Sequence, residues 1–143
     1  MNKLIIIWIS MLSTSVFSQT TIERVLNKYN DKSVPYIQVE ALKKNAKQAL
    51  FLDARESEEF EVSHLKNAQH IGFKKVNSSR LDKLMADLLG NKGRLIVVYC
   101  SIGVRSEVIG KKLISHGFTN VYNLYGGLFE WVNKGGEVFR QGS

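Results

Sequence analysis

This sequence of 143 residues lacks the features that define several classes of protein. It has one cysteine, which excludes a disulfide framework within the chain and a zinc site built from several thiolates. One proline excludes a collagen, and the content of 44% hydrophobic and 23% charged residues excludes an intrinsically disordered chain. The composition is that of a globular protein with enough length for one domain of ordinary size.

The first 18 residues have the pattern of a cleavable export signal. Lys3 is followed by an apolar run from Leu4 to Leu12, and then by small and polar residues up to Ser18. The run is shorter than the roughly 20 residues that a membrane-spanning helix needs. We therefore expect a signal peptide at residues 1–18, with an uncleaved anchor or a buried N-terminal helix as alternatives. This predicts a periplasmic or secreted protein without stable membrane association after cleavage.

The rest of the chain alternates between apolar runs and periodic segments. The apolar runs predict strands at 34–38, 49–52, 95–99 and 121–124. The periodic segments predict helices at 21–29, 40–46, 79–89 and 105–116, and Ser57 is the expected N-cap of a further short helix. The expected fold is an α/β domain at residues 34–143, with a mostly parallel central sheet flanked by helices. Residues 19–33 form an N-terminal extension.

Cys100 lies directly after the strongest strand signal and before a predicted helix that begins near Arg105. In parallel sheets, ligands bind beyond the carboxyl ends of the strands, where Asp53 also falls. A loop of this kind directs backbone N–H groups inward, and the helix dipole and Arg105 add positive potential. These effects favour a thiolate nucleophile with an anion bound beside it. The alternative is a small buried side chain without chemistry.

Three segments of the chain carry the pattern of one known family. They are residues 51–56 with Glu59, Phe60, His64, Leu65 and Ala68; residues 97–106; and residues 117–136 with Val121, Leu124, Gly126, Gly127 and Trp131. In these segments the chain resembles a single-domain rhodanese, a sulfurtransferase, from about Val34 to Val138. It departs from the family's pattern at Ser63 and Asn67, where glycine is usual, and at His70-Ile71-Gly72, where Asn-Ile-Pro is favoured.

The resemblance implies a two-step transfer of sulfur. The Cys100 thiolate takes a sulfane sulfur from a small anionic donor, thiosulfate or a persulfide, and a thiol or cyanide acceptor then removes it. No metal and no organic cofactor is implied. The alternatives are a non-enzymatic persulfide carrier or binding module of the same fold, and a phosphatase or arsenate reductase. Four residues separate Cys100 from Arg105, whereas phosphatases with a phosphate-cradling loop have five, and this favours sulfur transfer.

The predicted site consists of the cysteine, its loop and two supporting residues. Cys100 is the expected nucleophile, and the expected substrate-binding residues are those of its loop, Ser101, Ile102, Gly103, Val104 and Arg105. Arg105 either binds substrate or ties the loop to an acidic residue.

The two supporting residues follow the strand that ends near residue 52. Asp53 is expected to bond to backbone or to pair with an arginine near the loop, with acid–base catalysis as the alternative. Arg55 is expected to pair with Glu56 or Glu59, or to lie at the pocket mouth. The net charge of +7 is consistent with anionic partners, but the basic residues form no stripe interleaved with aromatics. We therefore expect no nucleic-acid partner, and we expect a monomer.

Overall fold

A computed structural model describes residues 21–73 and 78–142, and these residues fall into two compact units that are divided between Asp31 and Lys32. In the first unit, residues 21–29 are helical (α1). The predicted signal peptide at residues 1–18 lies outside the described residues. Among the described residues, no helix has the length and apolar character needed to cross a membrane.

The described part of the second unit is built on a parallel five-stranded sheet. Its strands are β1 (Tyr36–Ile37), β2 (Leu50–Asp53), β3 (Gln69–His70), β4 (Ile96–Tyr99) and β5 (Val121–Leu124). Their order across the sheet is β1-β5-β4-β2-β3, and every neighbouring pair is parallel. All four residues of the central strand β4 are buried, which explains its continuous apolar sequence. Because every neighbouring pair is parallel, the carboxyl ends of the strands lie along one edge of the sheet.

Helices flank the two faces of this sheet. They are α2 (Val39–Asn45), α3 (Ser57–Val62), α4 (Ser78–Asp87), α5 (Arg105–Ser115) and α6 (Gly127–Asn133), with a 3-10 turn at Leu89–Asn91. Because side chains alternate along a strand, β2 and β4 supply one apolar cluster with Leu52 and Val98 and a second with Phe51 and Val97. This arrangement confirms the predicted α/β fold with a parallel central sheet flanked by helices.

Three local details differ from the prediction or extend it. The two-residue edge strand β3 was not predicted, because its residues are partly exposed and carry no apolar pattern. The N-cap of α3 is Glu56 and not Ser57, since Glu56 and Glu59 bond reciprocally to each other's backbone N–H groups. Asn67, where rhodaneses usually have glycine, adopts a left-handed backbone with φ of 60°, which asparagine tolerates better than most residues.

Candidate active site

Cys100 lies at the carboxyl end of β4 and its side chain faces the following loop. The residue is only 2% exposed. Its Sγ accepts a hydrogen bond from the backbone N–H of Gly103 at 3.1 Å and lies 3.4 Å from the hydroxyl of Ser106. Gly103 has a φ of 121°, a conformation that glycine reaches without strain. The loop therefore donates one backbone hydrogen bond to a buried sulfur atom, and the Ser106 hydroxyl lies within hydrogen-bonding distance of the same atom.

The first turn of α5 adds to the positive potential at this sulfur. The helix begins at Arg105, and the hydroxyl that approaches the sulfur belongs to its second residue, Ser106. The N-terminal end of a helix carries partial positive charge, and a thiolate is stabilised there. The Gly103 N–H and the start of α5 are therefore both positioned to interact with negative charge on the sulfur.

A buried polar network behind Cys100 was missed by sequence reasoning. The Ser106 hydroxyl donates to Asn123 Oδ1 at 2.7 Å, and Asn123 Nδ2 donates to the Gly103 carbonyl at 2.8 Å and to Glu107 Oε2 at 3.2 Å. Ser106 and Asn123 are fully buried. The available signal was an asparagine inside the otherwise apolar run of β5. The network holds the loop carbonyl and the helix hydroxyl in fixed positions around the sulfur.

Arg105 is bound to an acidic residue of α3. Its guanidinium forms two hydrogen bonds to the Glu59 carboxylate, at 2.7 and 2.9 Å, and a third to the Ser101 hydroxyl at 3.1 Å. The Arg105 hydrogen bonds lower the pKa of Glu59 to about 2, and the same bonds raise the pKa of Arg105. This is the arrangement expected if Arg105 ties the Cys100 loop to an acidic residue. A role of Arg105 in binding substrate stays a prediction.

The start of α6 supports the Cys100 loop from the opposite side. The N–H of Leu128 donates to the Cys100 carbonyl at 2.8 Å, and the N–H of Phe129 donates to the Ser101 carbonyl at 3.1 Å. Gly127 packs directly on these carbonyls with a φ of 58°, and a Cβ there would lie 2.4 Å from the Cys100 oxygen. The backbone of Cys100 is therefore fixed by a helix that is distant in sequence.

Asp53 and Arg55 form a buried ion pair at the end of β2. The Arg55 guanidinium bonds to both carboxylate oxygens of Asp53, at 2.7 to 3.2 Å, and its backbone N–H donates to Asp53 Oδ1 at 2.9 Å. Arg55 also donates to the Ser63 carbonyl at 2.5 Å. Burial alone would lower the pKa of Arg55, but its bonds to Asp53 raise it overall.

This pairing corrects the expectation that Arg55 pairs with Glu56 or Glu59 or lies at the pocket mouth. The tight turn after β2 directs Arg55 back onto Asp53, and Arg105 occupies Glu59. Arg55 is only 4% exposed. Beside the pair, burial raises the pKa of Tyr99, whose hydroxyl accepts the Leu65 N–H at 3.1 Å.

The structure thus places most of the predicted residues in one loop and two of them in a separate pair. Cys100, Ser101, Gly103 and Arg105 take part in the contacts around the sulfur and its brace, and Ile102 and Val104 are partly exposed in the same loop. Substrate binding by these loop residues stays a prediction. Over residues 21–73 and 78–142, no group of three or more His, Cys, Asp or Glu side chains is arranged to hold a metal ion.

Two curated proteins that are similar to the chain in sequence carry the same name. A tRNA uridine(34) hydroxylase of Hamiltonella defensa is 39% identical over 87 residues, which cover 59% of this chain and 23% of that protein. The one from Photorhabdus laumondii is 35% identical over 88 residues, covering 62% of this chain and 25% of that protein. The chain spans about a quarter of the length of the curated relatives it matches.

The names of these curated relatives contradict the function predicted from the sequence. The relatives are named for hydroxylation of a tRNA uridine, not for moving sulfane sulfur from thiosulfate or a persulfide to a thiol or cyanide. The prediction of a thiosulfate or persulfide sulfurtransferase is therefore wrong. The physical reason is that a cysteine loop at the end of a parallel sheet is a scaffold, and one scaffold serves several reactions.

The family itself is shown by sequence and by structure. A rhodanese-related protein from Thermoplasma volcanium superposes with a TM-score of 0.61 at 26% identity, covering 73% of this chain and 97% of that one. The family model of the rhodanese-like domain matches residues 38–134, a range that contains Asp53, Arg55, Glu59 and the whole Cys100 loop. The chain belongs to the rhodanese-like family.

Proposed function

We propose that this chain is a Cys100-dependent enzyme that acts in the modification of a uridine in tRNA. The observation that carries the proposal is a buried sulfur that accepts the Gly103 N–H and lies beside the Ser106 hydroxyl. Both groups lie within hydrogen-bonding distance of the sulfur and are positioned to interact with negative charge on it during a reaction. The chain that holds this sulfur is 35 to 39% identical, over 87 to 88 residues, to two tRNA uridine(34) hydroxylases. About three quarters of each relative has no counterpart in the match, so the proposal concerns the chemistry of the cysteine domain.

The charge of the chain supports a tRNA partner, and the burial of the sulfur restricts how a substrate contacts Cys100. The net charge of +7 favours association with a polyanion such as tRNA, and a tRNA partner replaces the expectation of no nucleic-acid partner, which rested on the lack of a basic stripe. Cys100 is 2% exposed, so the sulfur offers no surface on which a whole base could stack. Hydroxylation replaces a hydrogen of the base by a hydroxyl group. With dioxygen as the oxidant, one oxygen atom enters the base, and two electrons and two protons from a cellular reductant convert the other oxygen atom to water.

The proposal is tested in cells that lack their own uridine 34 hydroxylase. The full chain, Cys100→Ser and an exposed control, Ser115→Ala, are expressed at equal levels, and nucleosides from purified tRNA are measured by mass spectrometry. We expect a uridine heavier by one oxygen atom with the unaltered chain and with Ser115→Ala, and none with Cys100→Ser. Absence of the hydroxylated nucleoside with the folded, unaltered chain would contradict the proposal.

A second candidate is favoured by the sequence of residues 1–18. We propose as the alternative that the chain is exported after cleavage behind Ser18 and that Cys100 acts on a small-molecule substrate outside the cytoplasm. The basic Lys3 and the short apolar run from Leu4 to Leu12 support this alternative. A protein outside the cytoplasm does not meet tRNA. One molecule of this protein therefore cannot be both exported and active on tRNA.

Cell fractionation followed by N-terminal sequencing decides between the candidates. A mature N-terminus near Gln19 in the exported fraction supports the second candidate. An intact Met1 on cytoplasmic protein contradicts it and leaves the tRNA proposal standing. Lys3→Glu is the matched variant, because a negative n-region blocks export while the folded domain is unchanged.

A further inference from the structure

A groove away from the Cys100 loop combines an apolar floor with a basic rim. Its volume is about 610 Å³. Phe51 and Leu65, both buried, form the floor, and the partly exposed rings of Trp131 and Phe139 form the walls. We call this cavity the Trp131 groove. Its size falls in the range of roughly 300 to 1,000 Å³ that is typical of sites for small organic ligands.

Hydrogen bonds hold the two walls of the Trp131 groove in place. Phe139 exchanges two backbone bonds with His64, each 2.9 Å long, and this fixes one wall against the segment after α3. The indole N–H of Trp131 donates to the Glu137 carbonyl at 2.9 Å and fixes the other. The groove is therefore preformed, and a ligand is not required to order it.

The rim of the groove is positively charged. Lys43, Lys47 and Lys66 line it together with one acidic residue, Glu137. The ammonium of Lys43 lies 5.7 Å from the centre of the Trp131 ring, and that of Lys66 lies 5.9 Å from the centre of the Phe139 ring. Two of the three rim charges therefore lie close to the faces of the aromatic rings that line the groove.

We propose that the Trp131 groove binds an amphipathic organic anion, an aromatic or branched apolar body that carries one carboxylate or sulfonate. The apolar body contacts Phe51 and Leu65, and the acid group pairs with the rim lysines. A strand of RNA fits less well, because base edges need hydrogen-bond partners and Asn67 is the one amide side chain among the described lining residues. None of the lining residues belongs to the Cys100 loop, so this proposal is independent of the proposed function.

The probe for the test is 2-naphthoate, a bicyclic aromatic ring with one carboxylate. Amide chemical shifts of the full chain are followed during titration with 2-naphthoate, with its neutral amide 2-naphthamide, and with a short single-stranded oligouridylate. We expect saturable shifts at the groove with 2-naphthoate, and binding about tenfold weaker with 2-naphthamide, a loss of about 1.4 kcal/mol.

Two variants separate a specific charge effect from a change in net charge. Lys66→Glu removes a rim charge and is expected to weaken 2-naphthoate binding about tenfold. Lys44→Glu is the matched control, because Lys44 lies on α2 beside Lys43 but does not line the groove. We expect it to bind 2-naphthoate as the unaltered chain does.

Three results overturn the proposal. One is equal affinity for 2-naphthoate and 2-naphthamide, which would show that the rim charge does not matter. Another is an equal loss of binding in Lys66→Glu and Lys44→Glu. The third is a set of shifts at the groove with oligouridylate and none with 2-naphthoate, which would identify a nucleic-acid surface instead.

Discussion

The sulfur of Cys100 and the hydroxyl of Ser106 lie 3.4 Å apart, and that hydroxyl also lies 2.7 Å from Asn123 Oδ1. A serine hydroxyl has one proton to donate. When it donates to Asn123, its oxygen accepts the S–H of the neutral thiol. When it turns to the sulfur, it stabilises the thiolate. Ser106 therefore couples the state of Cys100 to the buried network behind it.

Ser106→Ala is expected to slow the reaction of Cys100 with iodoacetamide at neutral pH. The substitution removes one of the two hydrogen bonds available to the thiolate, a loss of about 0.5 to 1.5 kcal/mol, or roughly two- to tenfold in rate. The measurement is the rate of alkylation followed by mass spectrometry. Ser115→Ala, on the exposed face of the same helix, is expected to leave the rate unchanged. Equal rates for Ser106→Ala and the unaltered chain would mean that Gly103 alone stabilises the thiolate.

Gly127→Ala is expected to destabilise the fold through its contact with the Cys100 carbonyl. The added Cβ would lie 2.4 Å from that oxygen, in a backbone conformation with φ of 58°. We expect a loss of about 3 kcal/mol or more in the free energy of unfolding, measured with urea.

Gly135→Ala is the matched control for this prediction. Gly135 also has a positive φ, 74°, but a Cβ there meets nothing within 4 Å. Its cost is therefore the backbone strain alone, about 1 kcal/mol. If the two variants lose the same free energy of unfolding, the close approach of α6 to the Cys100 loop adds nothing to the cost of the Gly127→Ala substitution.

The elements nearest the Cys100 sulfur could be predicted from the sequence because their signals are local. The β-branched run before Cys100 predicts a buried strand, and the structure gives Ile96–Tyr99. The periodic segment after the loop predicts a helix from Arg105, which is where α5 begins. The apolar run Val121–Leu124 forms β5 with those bounds.

The contacts that complete the site could not be predicted, because they join residues that are distant in the chain. Asn123 lies 17 positions from Ser106, and Glu59 lies 46 positions from Arg105. Hydrophobic periodicity and turn residues report only on neighbouring positions, so they do not identify pairs of residues that are distant in the chain. The two alternatives for Arg105 stayed open for this reason, whereas the structure shows its acidic partner. The reaction was mispredicted because a loop motif defines a reactive atom and not its substrate.

Asp53→Asn is expected to lower stability strongly although Asp53 forms no part of the Cys100 loop. The substitution leaves the guanidinium of Arg55, 4% exposed, without its carboxylate. Removing one partner of a buried ion pair costs about 3 to 5 kcal/mol. The measurement is the free energy of unfolding in urea. Asp82→Asn, whose carboxylate faces Lys112 on the surface, is expected to cost no more than about 1 kcal/mol.

Glu59→Gln is expected to remove a pH-dependent part of the stability. The pKa of Glu59 is about 2 in the folded protein, because of its hydrogen bonds from Arg105, against an ordinary value of 4.5. A carboxyl whose pKa is lowered by folding stabilises the fold above its ordinary pKa, and this contribution is lost as the pH falls toward 2. The Glu59 side chain is 36% exposed, so solvent screening reduces its contribution to about 1 kcal/mol.

Urea unfolding between about pH 7 and pH 2.5 measures this contribution. We expect Glu59→Gln to be less stable than the unaltered chain at neutral pH, with the difference narrowing as the acid limit is approached. Glu58→Gln changes the same charge on the exposed neighbouring position of α3 and is expected to follow the unaltered chain throughout. A stability difference for Glu59→Gln that stays constant across this range would show that side-chain packing, and not the ion pair with Arg105, holds α3 against the Cys100 loop.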